Sequence, residues 1–83
     1  MAFRIDYKSS VSKDLRRLDP QATRRIIERL ESALSADPKA GSPLSGEFRG
    51  LYKFRVGEYR VIYVRTADGV LVLRIANRKD VYR

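Results

Sequence analysis

Hydrophobic and polar positions alternate at the start of the chain, with Phe3, Ile5 and Tyr7 interleaved with Arg4, Asp6 and Lys8. A period of two is that of a half-buried strand, so residues 2–8 are predicted to form the first strand. The period then changes. Val11, Leu15 and Leu18 recur at helical spacing among charged residues, and Ser9 or Ser10 offers an N-cap for a short helix. Asp19-Pro20 pairs a capping residue with a proline at the first helical position, where the missing N–H is not needed, and so starts a second helix. Its apolar stripe is Ala22, Ile26, Ile27, Leu30, Ala33 and Leu34, while Arg24, Arg25, Glu28, Arg29 and Glu31 take the wet side. The helix should end near Ala36, ahead of Asp37-Pro38. The very short link between the two helices predicts an antiparallel pair covering one face of a sheet.

Residues 37–47 (DPKAGSPLSGE) are rich in Pro, Gly and Ser and read as a loop. From Leu51 onward the chain is strand upon strand. LYKFRV and YRVIYVR are separated by Gly57-Glu58, a Gly-first pair suited to a type II′ turn, and Asp68-Gly69, suited to type I′, leads into VLVLRIAN. The expected fold class is therefore α+β: strand, helix, helix, then three antiparallel strands, with two antiparallel helices packed on an antiparallel sheet. Phe3, Ile5, Leu15, Leu18, Ile27, Leu30, Ile62 and Ile75 are the predicted buried set.

The hairpin register brings chemistry together. A two-residue turn at Gly57-Glu58 sets Val56 opposite Tyr59, Arg55 opposite Arg60 and Lys53 opposite Ile62. A two-residue turn at Asp68-Gly69 would set Arg60 opposite Asn77 and Ile62 opposite Ile75, so Asn77 joins the same face with Arg78 close by. Ile62, Val64, Leu71, Leu73 and Ile75 would make the rest of that face apolar, and Arg74 would fall on the opposite face. Like charges directly opposite one another destabilise a sheet, and a sequence tends to break such a rule where function compensates. Lys53, Arg55, Arg60 and Asn77 are therefore the candidate site; the bland alternative is a solvated edge on which the arginines splay apart.

Composition narrows what such a site can do. The 83 residues leave room for one core, so a single domain over residues 1–83 is expected. Eighteen Lys and Arg against ten Asp and Glu give a formal charge of +8, which attracts nucleic acid or an acidic protein. With no Cys and no His, thiolate metal sites and imidazole catalysis are excluded, and an enzyme of this composition works through Lys, Arg, Tyr or carboxylates. No apolar run approaches a membrane span and no signal-peptide stretch opens the chain, so a cytoplasmic protein without membrane contact is expected.

The stretches YKFRVGEYRVIY (52–63) and RIANRKDVYR (74–83), with the Leu-Ser-Gly ahead of the second strand, resemble the RelE/ParE toxin superfamily, in particular its RelE branch. The resemblance covers the whole chain. It implies the toxin of a type II toxin–antitoxin pair, acting on the ribosome with bound mRNA as an endoribonuclease that cuts the messenger in the A site, without metal or other cofactor, and restrained by a cognate acidic antitoxin. The positions that match the family's functional residues are Lys53, Arg55, Arg60 and Tyr82. Arg55 stands where a lysine is common, and Asn77 where a histidine or another cation is common, with Arg78 as a substitute. Arginine clamps phosphate through its fork but does not readily release a proton, so proton transfer falls mainly to Lys53 and Tyr82; which is base and which acid stays open. Arg24, Arg25 and Arg29 on the wet helix face are expected to add RNA-binding charge. Two other readings accompany this one: a non-catalytic inhibitor of DNA gyrase as in the ParE branch, and an inactive toxin, favoured by Asn77, that only binds its antitoxin.

Overall fold

The computed structural model of the chain describes residues 3–77; the expectations for Arg78 and Tyr82 lie outside them. In chain order the elements are β1 (Arg4–Tyr7), α1 (Ser9–Arg16), α2 (Pro20–Ala36), β2 (Ser42–Pro43), a 3-10 turn (Gly46–Phe48), β3 (Leu51–Val56), β4 (Tyr59–Arg65) and β5 (Gly69–Asn77). The strands form one sheet in the order β1-β5-β4-β3-β2. β5 is thus interior, and β1 lies beside it running parallel, with Arg4 opposite Gly69 and Tyr7 opposite Val72. The sheet is mixed, not wholly antiparallel as the turn signals alone suggested. Hairpin turns fix the mutual direction of β3, β4 and β5, but nothing local fixes that of a first strand separated from them by two helices.

Both helices pack on one face of this sheet. Val11 of α1 and Ile26, Leu30 and Leu34 of α2 meet Val61, Tyr63, Val70, Val72 and Ile75 in a single buried cluster. The predicted stripes supply these contacts: Ile5, Leu15, Leu18 and Ile27 are half-buried around the cluster, while Phe3, expected inside, is 43% exposed. Phe3 precedes the first paired residue of β1, where only its N–H is held, by the Ser35 carbonyl at the end of α2. Neither serine caps α1 as expected. Lys8 occupies the cap position without a side-chain bond, and the Ser10 hydroxyl donates instead to the Leu73 carbonyl at 2.9 Å. α2 does begin at Asp19-Pro20 and end ahead of Asp37-Pro38, although Asp19 also makes no side-chain cap.

The first hairpin has the expected register, and Gly57 takes φ of 59° with no positive φ at Glu58, the pattern of a type II′ turn. The second does not. Thr66 N–H donates to the Gly69 carbonyl at 2.8 Å, so the turn residues are Ala67-Asp68. Gly69 serves another purpose: a Cβ there would lie 2.7 Å from both the carbonyl carbon and the amide nitrogen of Arg4, so only glycine lets β1 approach. A bulge at Leu73 of β5, opposite the Ile62–Tyr63 step of β4, then shifts the register by one, leaving Arg60 opposite Ala76, Ile62 opposite Arg74 and Tyr59 opposite Asn77.

Tyr63 ties the long loop to the sheet. Fully buried, its hydroxyl donates to the Pro38 carbonyl and accepts from Gly41 N–H, both at 2.9 Å, and its ring stacks on Tyr52 with centroids 5.4 Å apart. Gly41 has no room for a side chain, since a Cβ would meet the Tyr63 hydroxyl and the Lys53 carbonyl, each at 2.6 Å. Burial, the largest influence, pushes the Tyr63 phenol above its ordinary value of 10.0 against the opposing bond from Gly41. At the far edge burial, together with the bond its hydroxyl donates to Glu31, raises the Tyr7 phenol as well.

Tyr63→Phe should leave the Pro38 carbonyl and Gly41 N–H without partners, lowering stability by about 1–3 kcal/mol and the thermal midpoint by several degrees. Both tyrosines hold their protons more tightly folded than unfolded. Their contribution is complete below pH 10 and is lost as pH rises through the folded values, so stability should fall progressively as pH rises above about 10. Thermal melts of the wild type and of the Tyr63→Phe and Tyr7→Phe variants across that range should show a shallower decline in each variant.

Candidate functional site

The face of the sheet turned away from the helices is where the sequence places its opposed arginines. Side chains paired across neighbouring strands share a face, so the ladder can be read in rows. Nearest the first hairpin, Arg55 faces Arg60, and Arg60 faces Ala76. In the next row Ser42, Lys53, Ile62 and Arg74 follow one another across β2, β3, β4 and β5. Beyond them come Leu51, Val64 and Leu71, with Leu44 held opposite Leu51 by a 2.9 Å backbone bond. The open face is therefore cationic at the hairpin end and aliphatic toward the other.

Ser42, Lys53, Phe54, Arg55 and Arg60 line a groove of about 250 Å³. Lys53 and Arg60 are half-buried and Arg55 is exposed. Among the described residues, neither Lys53 nor Arg55 has a carboxylate within salt-bridge distance. Paired strand residues hold their Cβ atoms about 5 Å apart, so Arg55 and Arg60 present two guanidinium forks from adjacent roots with Lys53 one residue pair away. Such an arrangement repels itself when empty and is relieved by an anion that accepts bonds from all three, above all a phosphate.

Three expected placements change. The slipped turn and the bulge together reverse the facing of the last residues of β5, so Asn77 lies opposite Tyr59 on the helix side and does not join Lys53, Arg55 and Arg60. It lines a separate cavity with Tyr59, Leu18 and Arg17. Ile75 likewise moves into the helix-side core, and Arg74 comes to the open face. There Arg74 is bound by Asp14 of α1, whose carboxylate accepts from its Nε at 3.0 Å and its terminal nitrogen at 3.3 Å and from Ile75 N–H at 3.0 Å. Asp14 thus satisfies the edge of β5 where β1 has ended. The exposed Arg24, Arg25 and Arg29 belong to α2 and so to the other side of the sheet, with Arg25 lining a cavity at the hairpin tip beside Val56, Gly57 and Glu58. Sequence reasoning missed Ser42, because a two-residue strand inside a Pro- and Gly-rich segment is too short to show a period.

A family model described as the ParE toxin of the type II toxin–antitoxin system parDE matches residues 5–82. The chain belongs to the ParE toxin family. It is accordingly the toxin of a type II toxin–antitoxin system, within the wider RelE/ParE superfamily. This ParE-family chain is 32% identical over 87 residues to Toxin RelG of Mycobacterium tuberculosis, a match covering 100% of the chain and 99% of the relative. It is 31% identical over 85 residues to Toxin RelE of the same organism, covering 98% of the chain and 87% of the relative. Among solved structures it is similar to a chain of the toxin–antitoxin complex RelBE2 of M. tuberculosis, with a TM-score of 0.85, 27% identity and coverage of 94% of this chain and 100% of the other. A chain of the RelB–RelE complex of Methanococcus jannaschii follows at a TM-score of 0.70 and 25% identity, covering 93% and 94%.

Asp14→Ala should leave Ile75 N–H without its partner and release Arg74, lowering stability by about 1–3 kcal/mol. Arg74→Ala, which leaves the Asp14–Ile75 bond in place, should cost under about 1 kcal/mol, as exposed ion pairs do. Urea unfolding of the two variants checks the difference.

Proposed function

We propose that this toxin is a ribosome-dependent endoribonuclease that cuts messenger RNA in the A site. The observation that carries the reading is the groove in which Lys53, Arg55 and Arg60 converge, with Lys53 and Arg55 lacking a carboxylate partner among the described residues. Three cations around one cavity suit the doubly charged phosphorane that forms when a ribose 2′-oxygen attacks the neighbouring phosphorus. In that reaction the 2′-hydroxyl gives its proton to a base, the bond from phosphorus to the 5′-oxygen breaks, and an acid protonates the leaving oxygen. Arg55 and Arg60 are the charge-stabilising groups, and Lys53 with Tyr82 divides the proton transfers. Arg78 adds phosphate-binding charge at the end of the chain, and Asn77, on the helix side, takes no part in the phosphate groove.

The structural neighbours from M. tuberculosis and M. jannaschii are toxin–antitoxin complexes, which supports a cognate antitoxin for this chain too. With a formal charge of +8, the chain suits an acidic antitoxin whose segment covers the cationic end of the open face.

Purified toxin added to programmed ribosomes, with messenger ends mapped by primer extension, should yield cuts within the A-site codon. Arg55→Ala and Arg60→Ala should each slow cutting on saturated ribosomes by on the order of a hundredfold or more while leaving ribosome binding nearly intact. Arg24→Ala, Arg25→Ala and Arg29→Ala should weaken association and its salt dependence with little change in the bound rate. Tyr82→Phe should fold normally and lose most of the rate. Normal cutting by Arg60→Ala defeats the assignment of roles; a wild type that cuts nothing and blocks gyrase supercoiling defeats the reading as a whole.

A further inference from the structure

The cationic groove does not end the open face. Directly beside it lies a second groove of about 440 Å³ walled by Leu44, Phe48, Leu51, Ile62 and Leu73. Ile62 is the cross-strand partner of Lys53, so the floor of one groove adjoins the wall of the other at a single residue pair. Leu73 contributes because the bulge places it and Arg74 consecutively beside this face. Phe48, on the 3-10 turn, stands at the border and is 39% exposed, one of two large apolar side chains among the described residues left so open. Lys8, Ser10 and Arg74 complete the rim, the Ser10 hydroxyl bonded to the Leu73 carbonyl and Arg74 paired with Asp14, and no carboxylate lines it among the described residues.

We propose that this groove is a nucleobase subsite, in which the base of the nucleotide on the 5′ side of the phosphate held by Lys53, Arg55 and Arg60 lies against Phe48 and the aliphatic floor around Ile62. The inference rests on the reading of the cationic groove as an RNA phosphate site. Three features point to a base as the occupant. The groove adjoins the phosphate site across the Lys53–Ile62 pair, within the reach of one nucleotide, an exposed aromatic ring at its border offers a stacking surface, and Lys8 on its rim suits a neighbouring phosphate. With Ser10 and Arg74 engaged by the Leu73 carbonyl and Asp14, the aliphatic walls read no base edge, so the subsite accepts any base and positions the scissile phosphate without selecting sequence. Phe48 is then a positioning residue for the reaction at Lys53, Arg55 and Arg60.

The test pairs the side chain with the base it is proposed to hold. Cleavage rates would be measured on saturated programmed ribosomes carrying either an intact messenger or one lacking the base at the nucleotide 5′ to the cut, for the wild type, Phe48→Ala and Phe48→Trp. Loss of one stacked base corresponds to about tenfold. The wild type should therefore lose about tenfold on the abasic messenger, Phe48→Ala should lose about tenfold on the intact messenger with no further loss on the abasic one, and Phe48→Trp should restore the wild-type pattern. Such non-additivity is the signature of a direct contact. A Phe48→Ala variant that cuts intact messenger at the normal rate, or that loses the full tenfold again on abasic messenger, overturns the subsite while leaving the endoribonuclease reading in place. The same holds if Phe48→Ala changes only how well the antitoxin neutralises the toxin, which would make the groove a protein dock. A wild type that cuts no messenger overturns the endoribonuclease reading and the subsite with it.

Discussion

The hydroxyl of Tyr63 holds the working side of the molecule in place. It is buried in the middle strand of the sheet, yet both of its bonds reach outward to the backbone at Pro38 and Gly41, the segment that leads from α2 into β2. A polar atom so enclosed must be satisfied, and the folded chain can satisfy it only by bringing that segment down onto the sheet. The consequence runs outward in steps. Gly41 packs against the Lys53 carbonyl, Ser42 pairs with Lys53, and Leu44 pairs with Leu51, so one buried phenol sets where both grooves of the open face have their outer wall.

Against that fixed wall the cations are arranged at an energetic disadvantage. Arg55 and Arg60 are direct cross-strand partners, where like charge is unfavourable. The rest of the structure absorbs this through the helix-side core, in which Val61, Val70, Val72 and Ile75 are fully buried beneath α1 and α2. The core and the candidate site are thereby separated by the thickness of one sheet. Strand periodicity does the separating: Val61 and Tyr63 face the helices while Arg60 and Ile62 of the same strand face the site.

Much of this was legible from the chain alone because the signals were local. The Gly57-Glu58 turn fixes its hairpin within two residues, so the facing of Lys53, Arg55 and Arg60 follows directly. The helix stripes were equally plain, since Ile26, Leu30 and Leu34 repeat at helical spacing. What was illegible depended on distant partners. Gly69 looks like a turn residue, but it is required by the backbone of Arg4, more than sixty positions earlier, and the turn moves aside for it. The bulge at Leu73 leaves no mark in an unbroken apolar run, yet it exchanges the faces of Arg74 and Asn77. Ser10 resembles a helix cap and instead bonds a carbonyl of β5, which only the folded sheet brings within reach.

Pro43 gives the outermost strand an unusual terminus. It is one of only two residues in β2, and having no N–H it cannot donate to a further strand. The border of the sheet next to the cationic groove is therefore closed to growth by lateral pairing, whether with another copy of the chain or with an extended segment of a different one. A partner that reaches that border has to lie across the open face and displace the solvent over Lys53 and Arg55, the same groups that the proposed reading gives to RNA.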